Sequence, residues 1–138
     1  MNTISLRRTP WLALALVAAI AGSTAPLAAR NLSYEAAVGH QTPVGSHVRF
    51  AKGSSDCAPG EIPTMTIIVP PKLGDLSTAT APVTLAHPDF GTSYCVGRSA
   101  PGRLVFYTPR AAGVDTFHYQ MSSQGLPTTD WFITVHVR

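Results

Sequence analysis

Charge is scarce in this chain. Ten Lys and Arg face seven Asp and Glu over 138 residues. No basic run and no amphipathic basic helix interrupts the central and C-terminal parts. That leaves no case for a nucleic-acid or acidic-membrane partner. Cysteine is nearly absent too, with only Cys57 and Cys95. A sustained 3.6-residue apolar period is missing, which argues against helices, and no internal repeat suggests a solenoid or propeller. The motifs of common catalytic machinery are also missing. There is no Gly-x-Ser-x-Gly elbow, phosphate-binding glycine loop or His-Glu-x-x-His. The few carboxylates are scattered over turns, which speaks against the paired acids of sugar hydrolysis. Ser, His and Asp occur without spacing that points to a triad.

One long apolar run is present, near the N-terminus. Arg7 and Arg8 precede Trp11–Ala21, which is apolar throughout. A membrane-spanning helix needs roughly 20 such residues, so this run is too short to cross and stay. Small residues follow, and Leu27-Ala28-Ala29 offers a peptidase site before Arg30. Residues 1–29 therefore read as a cleavable signal peptide. The general secretory route is expected, since Pro10-Trp11 fits a twin-arginine signal poorly. A periplasmic or secreted location follows. Without that segment the basic count falls to eight against seven acids, near neutrality.

The remaining residues, about 109 of them, should bury roughly 65% of their extended-chain surface in one modest core. Both cysteines fall in this part. In an oxidising compartment two Cys allow one internal pairing, Cys57–Cys95. Two free thiols would be unusual outside the cytosol, and a metal pair would want more ligands nearby.

Residues 30–45 are weakly patterned and read as a partly ordered arm leading to a domain over 46–138. Short strands are expected at Ser46–Phe50, Thr64–Val69, Asp75–Thr80, Val83–His87, Thr92–Val96, Arg103–Thr108, Asp115–Met121 and Asp130–Val137. In Thr64–Val69, alternation places Met65, Ile67 and Val69 on one face. Phe117, Tyr119 and Met121, then Trp131, Ile133, Val135 and Val137, alternate with polar residues. Proline and glycine punctuate the chain every ten or so residues. The pattern is that of an all-β, antiparallel β-sandwich of about seven strands.

Four pieces carry a resemblance. They are Pro70-Pro71-Lys72-Leu73-Gly74, Phe106-Tyr107-Thr108-Pro109, Gly113-Val114-Asp115-Thr116-Phe117-His118-Tyr119, and the closing Val135 and Val137. Their order over Pro70 to Val137 resembles bacterial immunoglobulin-like and cadherin-like domains. The Pro109–Asp115 turn is about two residues shorter than that family's, and its Asp-x-Asp-Gly calcium cluster is absent. The resemblance implies an immunoglobulin-like sandwich acting as a non-catalytic module for display, spacing or adhesion. No cofactor is implied. A protein or envelope partner is expected, by way of a strand edge, a loop or an exposed aromatic.

The alternation sends His118 and His136 outward on neighbouring strands, where they could sit side by side as weak metal candidates. His40, His47 and His87 read as ordinary histidines. Phe132 and Tyr94 are expected on the face opposite the core; exposed together, they would mark a partner surface. Phe106, Tyr107, Phe117, Tyr119 and Trp131 read as core. Asp115 reads as a turn residue bonding nearby backbone N–H groups. Other classes stay open at this point. They are an enzyme inhibitor using a loop at Ala58–Pro63 or Gly91–Gly97, a small loop-site enzyme, and a periplasmic metal-binding protein resting on the histidines.

Overall fold

A computed structural model describes residues 29–53, 55–87 and 93–138. The expected signal segment lies outside these, apart from Ala29. Among the described residues seven strands are formed: β1 (Arg30–Ala36), β2 (Thr42–His47), β3 (Thr64–Val69), β4 (Gly74–Thr84), β5 (Ser99–Pro109), β6 (Gly113–Ser122) and β7 (Thr129–Val137). A 3₁₀ turn, Ser93–Cys95, lies between β4 and β5. No helix of the described residues is long and apolar enough to cross a membrane. The strands form a four-stranded sheet in the order β1-β7-β6-β3 and a three-stranded sheet in the order β2-β5-β4.

The core follows from the alternation. Phe117, Tyr119 and Met121 on β6 and Trp131, Ile133, Val135 and Val137 on β7 point to the other sheet. They meet Val44, Val105 and Tyr107 there, with the Tyr107 and Phe117 rings stacked at 5.4 Å. Burying each such side chain stabilises by about 1.5–3 kcal/mol. That repeated gain fixes which face of β6 and β7 looks inward.

Several expectations are corrected. Residues 30–36 are strand rather than arm. β1 runs parallel to β7, from Arg30 beside Trp131 to Ala36 beside Val137. Leu32, Tyr34 and Ala36 turn toward the core while Asn31, Ser33 and Glu35 face outward. With only three inward positions, and a partner about a hundred residues away, the local signal is weak. This pair also departs from a purely antiparallel sandwich. The strand expected at Ser46–Phe50 instead runs Thr42–His47, and Phe50 makes only an isolated bridge to Pro59. The two short strands expected over 75–87 are one strand, β4, ending at Thr84. Pro82 does not break it, because β4 is an edge strand with β5 as its one neighbour, and an edge tolerates a missing N–H. Over 92–96, Ser93–Cys95 is the 3₁₀ turn, and Thr92 lies outside the described residues.

β5 serves two cores. Its buried positions are even up to Gly102 and odd from Val105 onward, while its pairing with β4 runs without a shift. Successive strand residues face opposite ways, so the two stretches bury opposite faces. The odd face joins the sandwich. On the even side, Ala100 and Leu104 pack with Val48, Phe50, Val83, Leu85 and Cys95 in a second, smaller cluster. The Cys57–Cys95 disulfide, with 5.6 Å between Cα atoms, pins this cluster across a separation of 38 residues. Gly102 sits where a Cβ would come within 2.8 Å of Val83 Cγ2, so glycine lets the two strands close.

Chain-entropy arithmetic for a loop of that length gives about 4 kcal/mol. Cys57→Ser with Cys95→Ser should lower unfolding stability by about that amount. Hydrogen exchange should speed first at Leu85, Gly97 and Arg98, while β6 and β7 stay protected. Equal loss of protection in both sheets would show that the small cluster is not a separate unit.

Candidate functional site

The outer face of the four-stranded sheet carries an open trough of about 550 Å³. Strand register builds it. Asn31 sits beside Phe132, Phe132 opposite His118, and His118 opposite Val69, so one row crosses all four strands. Ser33, Thr134 and Thr116 form the next row. Phe132 is 39% exposed, and Val69 is also exposed.

Val69 reaches this face through a bulge. Ile67 pairs with Tyr119 and Val69 with His118, leaving Ile68 as an extra residue. A bulge reverses the alternation beyond it. Met65, Ile67 and Val69 therefore do not share one face, contrary to the expectation from simple alternation.

His118 is a fixed element of the trough. Its ring stacks on Phe132 at 4.0 Å, with 21° between planes. Its Nε2 lies 2.7 Å from Asp130 Oδ1, which also accepts from Gln120 Nε2 at 2.9 Å. The Gln120 and His118 hydrogen bonds hold the Asp130 carboxyl below its usual range. An ionised carboxylate only accepts, so Nε2 of His118 carries the proton. His136 shares the outer face but pairs with Val114, two rows from His118. The two histidines are thus not side by side. Among the described residues no group of three or more His, Cys, Asp or Glu side chains converges.

Tyr94 and Phe132 are not brought together. Tyr94 is 51% exposed in the 3₁₀ turn beside the disulfide, and Phe132 lies on the other sheet's outer face. Asp115 does bond a nearby backbone N–H, that of Thr116, and distant ones as well. Its carboxylate accepts from Lys72 N at 3.0 and 3.1 Å and from Leu73 N at 2.8 Å, in the turn from β3 to β4. It also accepts from the Tyr107 hydroxyl at 2.8 Å and from Thr116 N at 3.0 Å. Burial alone would raise this carboxyl; the Lys72, Leu73, Tyr107 and Thr116 donors outweigh it and hold it below the usual range.

A second cavity, of about 250 Å³, opens where β1 of one sheet faces β2 of the other. His47 lies in its lining and is only 3% exposed. Its Nε2 is 3.0 Å from the Tyr119 hydroxyl, and its ring meets Trp131 edge-on at 4.5 Å. Gly45 makes the room, since a Cβ there would stand 2.8 Å from His47 Nε2. The Arg30 guanidinium covers Trp131 at 5.2 Å. Arg49 is buried nearby, with Nη1 donating to Val48 O at 3.2 Å. Reading His47 as an ordinary histidine missed this cluster. One signal was present: His47 and Arg49 are two apart, which puts both on one side of an extended chain.

Burial, then the charges of Arg49 and Arg30, push the His47 imidazole down to about 3. The folded protein therefore refuses a proton that the unfolded chain accepts near pH 6.5. Stability is full above that value and declines as pH falls toward 3, by up to about 5 kcal/mol. His47→Gln should flatten the urea midpoint between pH 6.5 and 4. An unchanged pH slope in that variant would assign the loss elsewhere.

The chain matches no protein-family model, no curated protein and no solved structure.

Proposed function

We propose that the chain is an exported, non-catalytic binding module of immunoglobulin-like type, and that the outer face of its four-stranded sheet engages a protein or envelope partner. The strand order supports the architecture. Lettered A to G in chain order, the sheets read A-G-F-C and B-E-D. That order resembles the immunoglobulin arrangement with its first strand moved beside its last, which supports the reading. The Cys57–Cys95 disulfide supports export.

The trough carries the functional reading. A sheet's outer face in water is ordinarily polar. Here Phe132 and Val69 stand exposed with His118 locked between them, among small polar side chains. Aromatic groups held on rigid strands make contact surface at little entropic cost. The neighbouring edge, β3, adds the exposed bulge residue Ile68. Its last residues give way to Pro70-Pro71, which limits strand pairing along that edge.

A photo-crosslinking residue placed at Phe132 should yield a discrete adduct in envelope extract, competed by excess untagged chain. The same probe at Ala79, on the other sheet, should not. Val69→Asp should reduce the Phe132 adduct several-fold. Identical adducts from both positions, or none from Phe132, would contradict the assignment.

A further inference from the structure

Each sheet ends in two edge strands, and three of the four edges are blunted. β3 is short, carries the bulge at Ile68 and stops at Pro70-Pro71. β2 is equally short, with Pro43 and an irregular register between Pro43 and Gly45. β1 has a charged residue near each end, Arg30 and Glu35. Bulges, prolines and charges keep a sheet edge from pairing with another chain. β4 differs from these. Its 11 residues run in unbroken register with β5, and no charged side chain lies between Leu76 and Thr84.

Prolines show which backbone groups of β4 are open. Opposite residues of an antiparallel pair alternate between exchanging both hydrogen bonds and exchanging none. Pro82 faces Pro101, and Gly74 faces Pro109. Proline has no N–H to give, so these two are non-bonded pairs. The register between them is unbroken, so Leu76, Thr78 and Thr80 are of the same kind. Their N–H and C=O groups point away from β5, while Ser77, Ala79 and Ala81 bond to it. Among the described residues β5 is the one neighbour of β4. The outward row therefore faces solvent, and Pro82 ends it. The same margin is short of apolar cover. Ile67 pairs with the buried Tyr119 and so shares its inward face. Ile67 is nevertheless 44% exposed, on the side of the sandwich that ends in β3 and β4.

The strand fits its own copy. With two copies antiparallel about an axis at Thr78, Leu76 of one lies beside Thr80 of the other, and Thr78 beside Thr78. Every outward residue from Leu76 to Thr80 is then bonded on both copies, and Thr–Thr is a favourable cross-strand pair. No charge meets a like charge. Asp75, which pairs with Arg110 at 3.3 Å, falls opposite Ala81. Pro82 falls opposite Gly74, where the pairing ends. Each copy also brings its Leu76 to the margin where Ile67 is exposed.

We infer that the chain self-associates through β4, joining two three-stranded sheets edge to edge. The inference does not depend on the trough of the other sheet.

Sedimentation of the purified chain tests it. One strand pair buries less than the roughly 1,200 Å² of a standard interface, so a reversible dimer is expected as concentration approaches the millimolar range. At the dilution of a crosslinking extract the chain is single, and a probe at Ala79 stays blank there. In dilute solution the amides of Leu76, Thr78 and Thr80 should exchange faster than those of Ser77 and Ala79. Raising the concentration should slow the first set several-fold. Thr78 is exposed, so Thr78→Lys and Thr78→Asp should both fold. Each alone sets like charges against one another at the axis and should weaken association several-fold. Their equimolar mixture should recover it, because Lys then faces Asp. A chain that stays monomeric at millimolar concentration would overturn the proposal. So would a dimer that Thr78→Lys leaves intact, or a mixture no tighter than either variant alone.

Discussion

One carboxylate joins the two sheets where the chain crosses between them. Asp115 begins the inward face of β6, in the four-stranded sheet, yet its donors lie elsewhere. Lys72 and Leu73 belong to the turn that carries the chain from one sheet to the other, and Tyr107 belongs to the middle strand of the second sheet. Asp115 as a residue is 2% exposed. A buried charge is tolerated only when hydrogen bonds replace its water, and here backbone and phenol N–H and O–H groups do so from three directions. Charge-assisted bonds are worth about 1.5–3 kcal/mol each, a large share of the 5–15 kcal/mol typical of a whole domain. The geometry around it follows from this tie. Gly74 must be glycine, since a Cβ would meet Thr108 O and the Tyr107 ring at 2.6 Å. Tyr107 is held where it stacks on Phe117.

With the crossing fixed at one end, the rest of the molecule divides its tasks. The sandwich core fills the space between the sheets. At the other end, β5 turns its even positions to a second cluster that the disulfide holds in place. That cluster uses the otherwise exposed side of the three-stranded sheet. The outer face of the four-stranded sheet is left to present Phe132, His118 and Val69. The margin where β1 meets β2 is left to gather two arginines around a neutral histidine. The face proposed to engage a partner thus sits on strands whose register the core dictates, rather than on loops.

What could be read from the sequence was whatever two-residue periodicity encodes. β6 and β7 alternate over their whole length, so the inward sets Phe117, Tyr119, Met121 and Trp131, Ile133, Val135, Val137 were legible, as was the outward Phe132. The cysteine pairing was legible from compartment and count. β1 was not, because its three inward residues gain meaning only beside β7. The bulge at Ile68 was not, because it is defined by β6 rather than by β3. The side-by-side placement of His118 and His136 failed for the same reason: alternation gives a face, and only register gives a row. The partners of Asp115 and the gathering of Arg30, His47 and Trp131 depend on contacts between distant strands, which local pattern does not carry.

The sharpest measurement compares urea unfolding of the parent chain with Asp115→Asn from pH 7 down to pH 2. Asn keeps the shape and an acceptor but not the charge. A depressed carboxyl contributes stability above the unfolded value near 3.9 and loses it as pH falls through the lower folded value. The parent should therefore exceed the variant by several kcal/mol at neutral pH, with the gap closing below about pH 4. A gap absent at pH 7, or one that stays constant to pH 2, would show that the sheets are joined by something other than this carboxylate.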